Sequence, residues 1–365
     1  MMENMKINQL PSKTWNWLKM NETAVSGISV SGAHEIKAEI PAGISKTNCP
    51  AGLPDQFREV AGGMGPDMDV LVRESAAGAV LLSTDGDFAE TPVRIGFTYG
   101  ASEHSLNTFG IFAKEGSKMT VIMDMAAEAD GASGADRTAL SGVQTKLILE
   151  KDAEVTLVQI IRNDNAKTVL NDIGAKVADG AKFSVIHLFL SGGHVYNGCK
   201  ADLVGKKSTF TADIAYTVGN DAVLDMNYVA LHEGKKSVSE IKTDGVLHEN
   251  SKKLFRGTID FKKGAAGAVG NEKEDVLLLD DDVVNQTIPL ILCAEEDVEG
   301  NHGATIGKLD EDLVFYLESR GMALAEIYKM MAKARIDAVL RFVPDEKTKA
   351  DVASYLESEG SNGCK

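Results

Sequence analysis

His302 is the residue of this chain whose type and surroundings are best suited to chemistry. It is followed by a run of small residues, Gly303, Ala304 and Thr305, and an acidic stretch lies on either side. The small neighbours leave the imidazole uncrowded, and a neutral imidazole nitrogen is a good ligand for iron and other transition metals. The alternative is a histidine that hydrogen-bonds a turn. We treat His302 as the candidate metal ligand.

The four cysteines offer a second kind of soft ligand. Cys49, Cys199, Cys293 and Cys364 are widely separated and form no CxxC pair. This spacing argues against a disulfide framework or a zinc knuckle and favours reduced thiols. We interpret Cys293, at the end of an apolar run, as a small buried side chain. Cys199 follows His194 by five residues, a spacing that resembles no standard metal site.

Two acidic clusters could in principle act as paired carboxylates. They are Asp280–Asp282 and Glu295–Asp297. Such pairs can perform general acid–base catalysis or bind a hard cation, although acidic corners on a solvated β surface are commoner. The sequence contains no P-loop, GxGxxG or GxSxG motif, so we do not expect the chain to hydrolyse ATP itself.

The elements that must position these residues are mainly short β-strands. Apolar and polar residues alternate with a period of two from about Ala79 to Leu292, for example in Phe210–Val218 and Phe255–Phe261. Turns rich in Gly, Asp, Asn and Lys separate the strands. This pattern is compatible with an antiparallel sandwich or with a parallel β-helix, and composition does not separate the two.

The two regions that flank these strands lack the alternating pattern. Residues 1–75 are irregular and rich in Gly and Pro, with a short helix expected around Trp15 and Trp17. Residues 306–365 are predicted to be helical. Asp310 is a good N-cap, and apolar residues recur at helical spacing after Ala323. The predicted organisation is an N-terminal mixed region (1–75), a β core (76–305) and a C-terminal helical domain (306–365).

Composition limits the classes of partner. The chain has 38 Lys and Arg against 54 Asp and Glu, a formal net charge of −16. Phosphate repels such a surface, so we expect no nucleic-acid partner. No run of about 18 apolar residues is present, so no membrane span is expected. The first residues show no secretory pattern, and we expect a cytoplasmic protein.

The stretch from Glu296 to Gly321, EDVEGNHGATIGKLDEDLVFYLESRG, resembles the signature of the SufB/SufD family of iron–sulfur cluster assembly scaffold proteins. Shorter segments agree with it: Leu10–Lys13 with the tryptophans that follow, Ser191–Gly193, and Phe255–Gly257. The resemblance implies a right-handed parallel β-helix with a small N-terminal mixed or helical region and a C-terminal helical domain. We expect the N-terminal region and the helical tail to cover one or both exposed ends of the β-helix.

The resemblance also implies a place for His302, which would face a SufB-like partner and help to form a nascent cluster. Many family members have Cys where this chain has Gly300, and the Cys of the SufB branch falls at Glu274. The chain therefore resembles the SufD branch. An iron–sulfur cluster is expected only transiently and in the complex, with none tightly bound to the isolated chain.

A second partner is implied at the helical tail. The SufC ATPase would dock there, and the expected surface contacts are Tyr316, Leu317, Arg320, Met322, Ile327 and Met330. Tyr, Arg and Met are enriched at protein interfaces. The implied function is a non-catalytic scaffold subunit of the Suf assembly complex. Two alternatives remain: a single SufB/D-like homodimer with SufC, or a β-helix enzyme acting on polysaccharides through the acidic clusters.

Overall fold

The computed structural model describes residues 2–14, 16–75, 77–86, 91–100, 103–127, 139–163, 168–191 and 193–362. Trp15, Gly192 and Cys364, which the sequence motifs include, lie outside these ranges. Within them the chain is mainly β, with four α-helices.

The core is a parallel β-solenoid, which confirms the predicted β-helix and excludes the antiparallel sandwich. Its strands run β5 Ala79–Thr84, β6 Val93–Tyr99, β7 His104–Ala113, β8 Lys118–Ala127, β9 Leu140–Leu149, β10 Glu154–Asn163, β11 Thr168–Val177, β12 Lys182–Ser191, β13 His194–Leu203, β14 Thr209–Val218, β15 Val223–His232, β16 Val238–Leu247, β17 Lys252–Phe261, β18 Ala268–Leu278, β19 Val284–Cys293 and β20 Val298–Gly307. Successive strands alternate between two sheets, and each pairs in parallel with the strand two places further on. We call the sheet that ends in β20 sheet 1 and the sheet that ends in β19 sheet 2. One strand of each makes a rung.

The corners between strands explain the recurring turn residues in the sequence. Asp152, Lys207, Asn220 and Lys236 all have φ between 55° and 60°. Asn and Asp tolerate this left-handed conformation better than most residues do, and Gly180 adopts it without steric cost. The backbone N–H of Lys207 donates to the carbonyl of Lys235 at 2.9 Å, so each corner also stacks on the next.

The interior of the solenoid, which we call the lumen, is filled by the inward half of each strand. The largest buried apolar cluster joins both sheets, and the rings of Phe183 and Phe210 stack there with centroids 5.5 Å apart. Since side chains alternate across a strand, the other half faces outward and meets the flanking regions.

The N-terminal region closes one end of the solenoid and covers one face. The strands β3 Lys37–Glu39 and β4 Ile44–Cys49 pair antiparallel with β6 and β5, at the first rung. The hairpin of β1 Met2–Ile7 and β2 Thr23–Ile28 packs with α1 Pro66–Ser75 on the outer face of sheet 2. Short 3₁₀ segments occur at Asn16–Leu18 and Asp55–Glu59.

The C-terminal helices are α2 Glu311–Ser319, α3 Leu324–Leu340 and α4 Glu346–Asn362. Asp310 caps α2 as predicted, with its carboxylate accepting the N–H groups of Asp312 and Leu313. Apolar residues of α3 and α4 pack on the outer face of sheet 1. Of the two flanking regions, only the N-terminal one covers an end of the solenoid, whereas the apolar stripes of the helical tail meet its side. None of the described helices has the length and apolar composition needed to cross a bilayer.

Candidate functional site

The last rung of the solenoid is open. Among the strands that the structure describes, β20 is hydrogen-bonded to β18 alone and stands at the edge of sheet 1. Every residue of β20 after Val298 is exposed, whereas the same positions in mid-solenoid strands such as β12 are mostly buried. An edge strand presents unpaired N–H and C=O groups and is a natural template for another chain. This end of the rod is therefore the exposed β surface where pairing could occur.

His302 lies at the middle of this open strand and shares the inward face. A Cβ placed on Gly300 would lie 3.1 Å from Ile291 and 3.2 Å from Phe261, so position 300 faces the lumen. Because side chains alternate along a strand, His302 projects to the same side. The imidazole is exposed, since no further rung covers it. The ring thus stands at the mouth of the lumen, where a ligand can reach it.

Beneath the mouth lies a buried set of polar side chains. Lys253 forms an ion pair with Glu274, and neither side chain is exposed. The Lys253 ammonium also donates to Thr287 Oγ1 at 3.0 Å, and that hydroxyl donates to Glu274 Oε2 at 2.7 Å. Burial lowers the pKa of Lys253, and the charge of Glu274 opposes this. Glu274 is satisfied within this triad, and the ammonium and carboxylate charges cancel.

Glu272 is a second buried acid at this end, and the sequence analysis did not single it out. It is 6% exposed and is the parallel-register neighbour of His302 on β18. Its carboxyl group lies over Gly257: a Cβ on that glycine would be 2.8 Å from the carboxyl carbon. Burial, followed by the charge of Glu274, raises the pKa of Glu272 to about 8. The signal that could have identified it is its parity on β18, which it shares with the buried residues Glu274 and Val276.

The cysteines do not gather at this mouth. Cys199 faces the lumen in mid-solenoid and is fully buried, and burial raises the pKa of its thiol. His194, five residues earlier, is exposed on the opposite face of the same strand, so these two residues form no joint site. Cys293 is exposed at the end of β19, so its interpretation as a buried side chain was wrong. Within the described ranges, no three His, Cys, Asp or Glu side chains lie close enough to hold a metal ion.

The two acidic clusters lie at corners between strands, where their carboxylates accept backbone N–H groups. Asp280 accepts the backbone N–H of Glu249 at 2.7 Å, and Glu295 accepts that of Gly264 at 2.8 Å. They flank β19, whose ten residues span about 33 Å at about 3.3 Å per residue. Carboxylates that cleave a glycosidic bond lie about 5 to 10 Å apart. The two clusters therefore cannot act as one pair on a polysaccharide.

The helical tail carries a separate exposed surface. Phe315 is 73% exposed and Tyr316 is 52% exposed on α2, and the guanidinium of Arg320 lies 5.4 Å from the Tyr316 ring centroid. No residue of α2 is buried. Met330 is also exposed, while Leu317 and Met322 are half-buried. Ile327, which we predicted as a surface contact, is fully buried and packs internally, so it is removed from this surface.

The fold and site define a parallel β-solenoid protein with one closed end, one open end and a helical appendage. A family model described as "SUF system FeS cluster assembly, SufBD core domain" matches residues 97–335, well over half of the chain. The chain belongs to this SufBD family.

Individual relatives agree with this assignment. The iron–sulfur cluster assembly protein SufD of Bacillus subtilis is 23% identical over 283 residues, which cover 77% of this chain and 63% of that protein. A SufBD family protein of Staphylococcus saprophyticus is 28% identical over 169 residues, covering 46% of this chain and 36% of the relative. One from Mycobacterium tuberculosis is 30% identical over 128 residues, covering 35% and 15%. The chain thus spans less than two thirds of the length of these relatives.

Proposed function

We propose that this chain is a non-catalytic scaffold subunit of a cytoplasmic Suf iron–sulfur cluster assembly complex. It pairs with a SufB-like subunit through the open rung, and it docks a SufC-like ATPase through the helical tail. The observation that carries the proposal is the exposed edge strand β20 with His302 on its inward face. Membership of the SufBD family supports the biological setting.

Pairing at the open rung follows from backbone chemistry. A β-strand from a partner can satisfy the free N–H and C=O groups of β20 and extend sheet 1. It would also cover half-buried apolar residues of the last rung, such as Ile291 and Val298. His302 would then lie at the seam between the two chains.

At this interface the iron–sulfur cluster would be the product that the complex assembles and passes on. Iron–sulfur clusters are held mainly by cysteine thiolates. Within the described residues this mouth supplies the imidazole of His302 and no set of thiolates, which fits a cluster whose remaining ligands come from the partner. His302 would bind one iron and orient it, and the partner would supply sulfur ligands.

The helical tail supplies the second docking surface. Phe315 and Tyr316 are exposed on α2, and Arg320, the residue that caps the C-terminus of this helix, is also exposed. Aromatic and Arg residues of this kind are frequent hot spots of binding energy. A nucleotide-driven closure of two ATPase subunits could then move the two scaffolds against each other through these helices.

Coexpression with SufB-like and SufC-like partners tests the proposal directly. We expect size-exclusion chromatography to show one complex, and anaerobic analysis to find iron and sulfide that depend on His302. Tyr316→Ala should weaken ATPase binding about tenfold or more and leave SufB-like pairing intact. Failure of the intact chain to bind either partner would contradict the proposal, and self-association with SufC alone would favour the homodimer.

A further inference from the structure

We propose that Glu272 is a second metal ligand at the mouth of the lumen, so that Glu272 and His302 together hold a divalent iron before the cluster is complete. This rests on the proposed function and names a residue and an ion for that site.

The first support is register. Glu272 on β18 is the parallel partner of His302 on β20, one rung apart. Neighbouring strands are about 4.8 Å apart, and both side chains point to the lumen. An imidazole and a carboxylate that start this close on one face can reach a common ion without movement of the backbone.

The second support is that Glu272 has no partner. The residue is 6% exposed, no hydrogen bond joins its side chain to another residue that the structure describes, and the charge of the nearby Lys253 acts on it only at a distance. A buried carboxyl group normally has such a partner, since burial without one is costly. The neighbouring Lys253 does not fill this role, because it is paired with Glu274.

The third support is the space in front of Glu272. Gly257 lacks a side chain at the point where the carboxyl group lies, and any Cβ there would clash with it. In the rung above, the register neighbour of Gly257 is Pro289, which has no side-chain donor and is exposed. The rung above therefore supplies no hydrogen-bond donor at this position to compete for the Glu272 carboxyl group.

The donor set suits ferrous iron. Imidazole nitrogen and carboxylate oxygen are both ligands of divalent first-row metals. Binding of the ion would displace the proton of the Glu272 carboxyl group, and the carboxylate would add the negative charge that a neutral imidazole lacks. Two donors from this chain leave the other positions to water, sulfide or the partner. This agrees with the finding that no group of three such ligands converges in the described part of the chain.

The test is anaerobic titration of the full isolated chain with Fe²⁺, and with Co²⁺ as a spectroscopic probe. We expect one site, weakened about tenfold or more by Glu272→Gln and by His302→Ala, since even outer partners of metal ligands are worth 10- to 100-fold. Glu299→Gln is the matched control, because Glu299 is exposed on the outward face of the same terminal strand. It should leave the affinity unchanged.

A double-mutant cycle shows whether the two residues hold the same ion. Titration of the wild type should show one ion per chain, each single variant should bind that ion more weakly, and the variant with both Glu272→Gln and His302→Ala should lose the site. The Co²⁺ absorption spectrum should change in each single variant. Thermal unfolding in metal-free buffer checks that the Gln variant, which has nearly the same shape, remains folded.

The outcomes separate the two proposals. No metal binding by the intact chain, or unchanged binding in Glu272→Gln, overturns the role of Glu272 and leaves partner pairing standing. If the unmodified chain does not pair with a SufB-like partner, the proposed function is contradicted, whatever the metal titration shows. Two ions bound per wild-type chain, with each single variant keeping one of them at unchanged affinity, would mean two separate sites and would also overturn the inference.

Discussion

The two ends of the solenoid are built in opposite ways. At the first rung, β3 and β4 turn back and pair antiparallel with β6 and β5, which covers the edges of both sheets. At the last rung, β20 stays exposed along nearly its whole length, and β19 is only half-buried. A parallel rod grows by adding rungs, so each end needs a distinct solution for its unpaired backbone groups.

The closed end shows that this chain can cap a raw edge with its own residues. The helical tail begins directly after β20, yet it runs to the side of sheet 1 and leaves the last rung uncovered. This contrast between the two ends supports the proposal that the open end pairs with another chain.

The largest effect is expected where a middle rung is compared with the last one. Phe210→Ala removes a fully buried ring that stacks on Phe183, and it should lower the free energy of unfolding by about 3–5 kcal/mol. Ile306 is 45% exposed on the terminal strand, so Ile306→Ala should lower the free energy of unfolding by less than about 0.5 kcal/mol. Urea unfolding measures both. Equal losses would mean that the last rung is already covered in the isolated chain.

The covered face of sheet 2 should respond to pH. Asp172 is fully buried, where it accepts the N–H of Met64 at 2.8 Å and of the Gln144 amide at 2.9 Å, and burial raises its pKa to about 6. Asp69 adds to this rise, and Lys146 opposes it. The folded pKa exceeds the ordinary value of 3.8, so the neutral carboxyl group stabilises the fold at low pH. That contribution is lost as pH rises through 6, and it is worth about 3 kcal/mol.

Asp172→Asn should remove this part of the pH dependence. The free energy of unfolding of the wild type minus that of the variant, measured between pH 4 and pH 8, should decrease as the pH rises. The midpoint of this decrease should lie between pH 4 and pH 6. A difference that rises with pH would contradict the assigned direction.

The open end can be blocked without unfolding the chain. Ala304→Arg places a long cation on the inward, exposed face of β20, two residues from His302. We expect SufB-like pairing to weaken about 30-fold, equivalent to about 2 kcal/mol, and stability to change by less than about 0.5 kcal/mol. Ala42→Arg makes the same change at an exposed position next to the closed end and should not affect pairing. Analytical ultracentrifugation distinguishes the two.

The smallest effect concerns the start of the tail. Asp310→Ala removes the carboxylate that accepts two N–H groups of the first turn of α2 and should cost this helix about 1 kcal/mol. Because α2 buries no residue, the loss should stay local. Hydrogen exchange should speed up at Asp312 and Leu313, whereas amides of α3 should be unchanged. Faster exchange throughout α3 would show that the helices unfold together.

Much of the fold was predictable from local patterns. The alternation in Phe210–Val218 and Phe255–Phe261 correctly located two lumen-facing strands, and the Asp310 cap correctly located α2. The choice between a sandwich and a β-helix could not be made from alternation, since both have a period of two. The pairing of strands two places apart is a long-range contact, and the family resemblance was needed to predict it.

Only one of the two proposed metal ligands was predictable from the sequence. His302 stood out because of its small neighbours, whereas Glu272 looked like any other acid on a β-strand until the lumen showed it buried. The predictions for Ile327 and Cys293 were wrong in opposite directions, because Ile327 was expected at the surface and is buried, whereas Cys293 was expected to be buried and is exposed. Each lies on an apolar stretch, and only the packing of neighbouring elements determines which side of that stretch is covered.

The amino-acid sequence by itself determined the strands, the corners and the helix caps of this protein, because period, turn residues and capping side chains act within a few positions. Only the tertiary structure decided which rung remains open, which face the helices cover and which acid is buried beneath the open rung. Those outcomes depend on residues that are about 30 positions apart in the chain and about 4.8 Å apart in space.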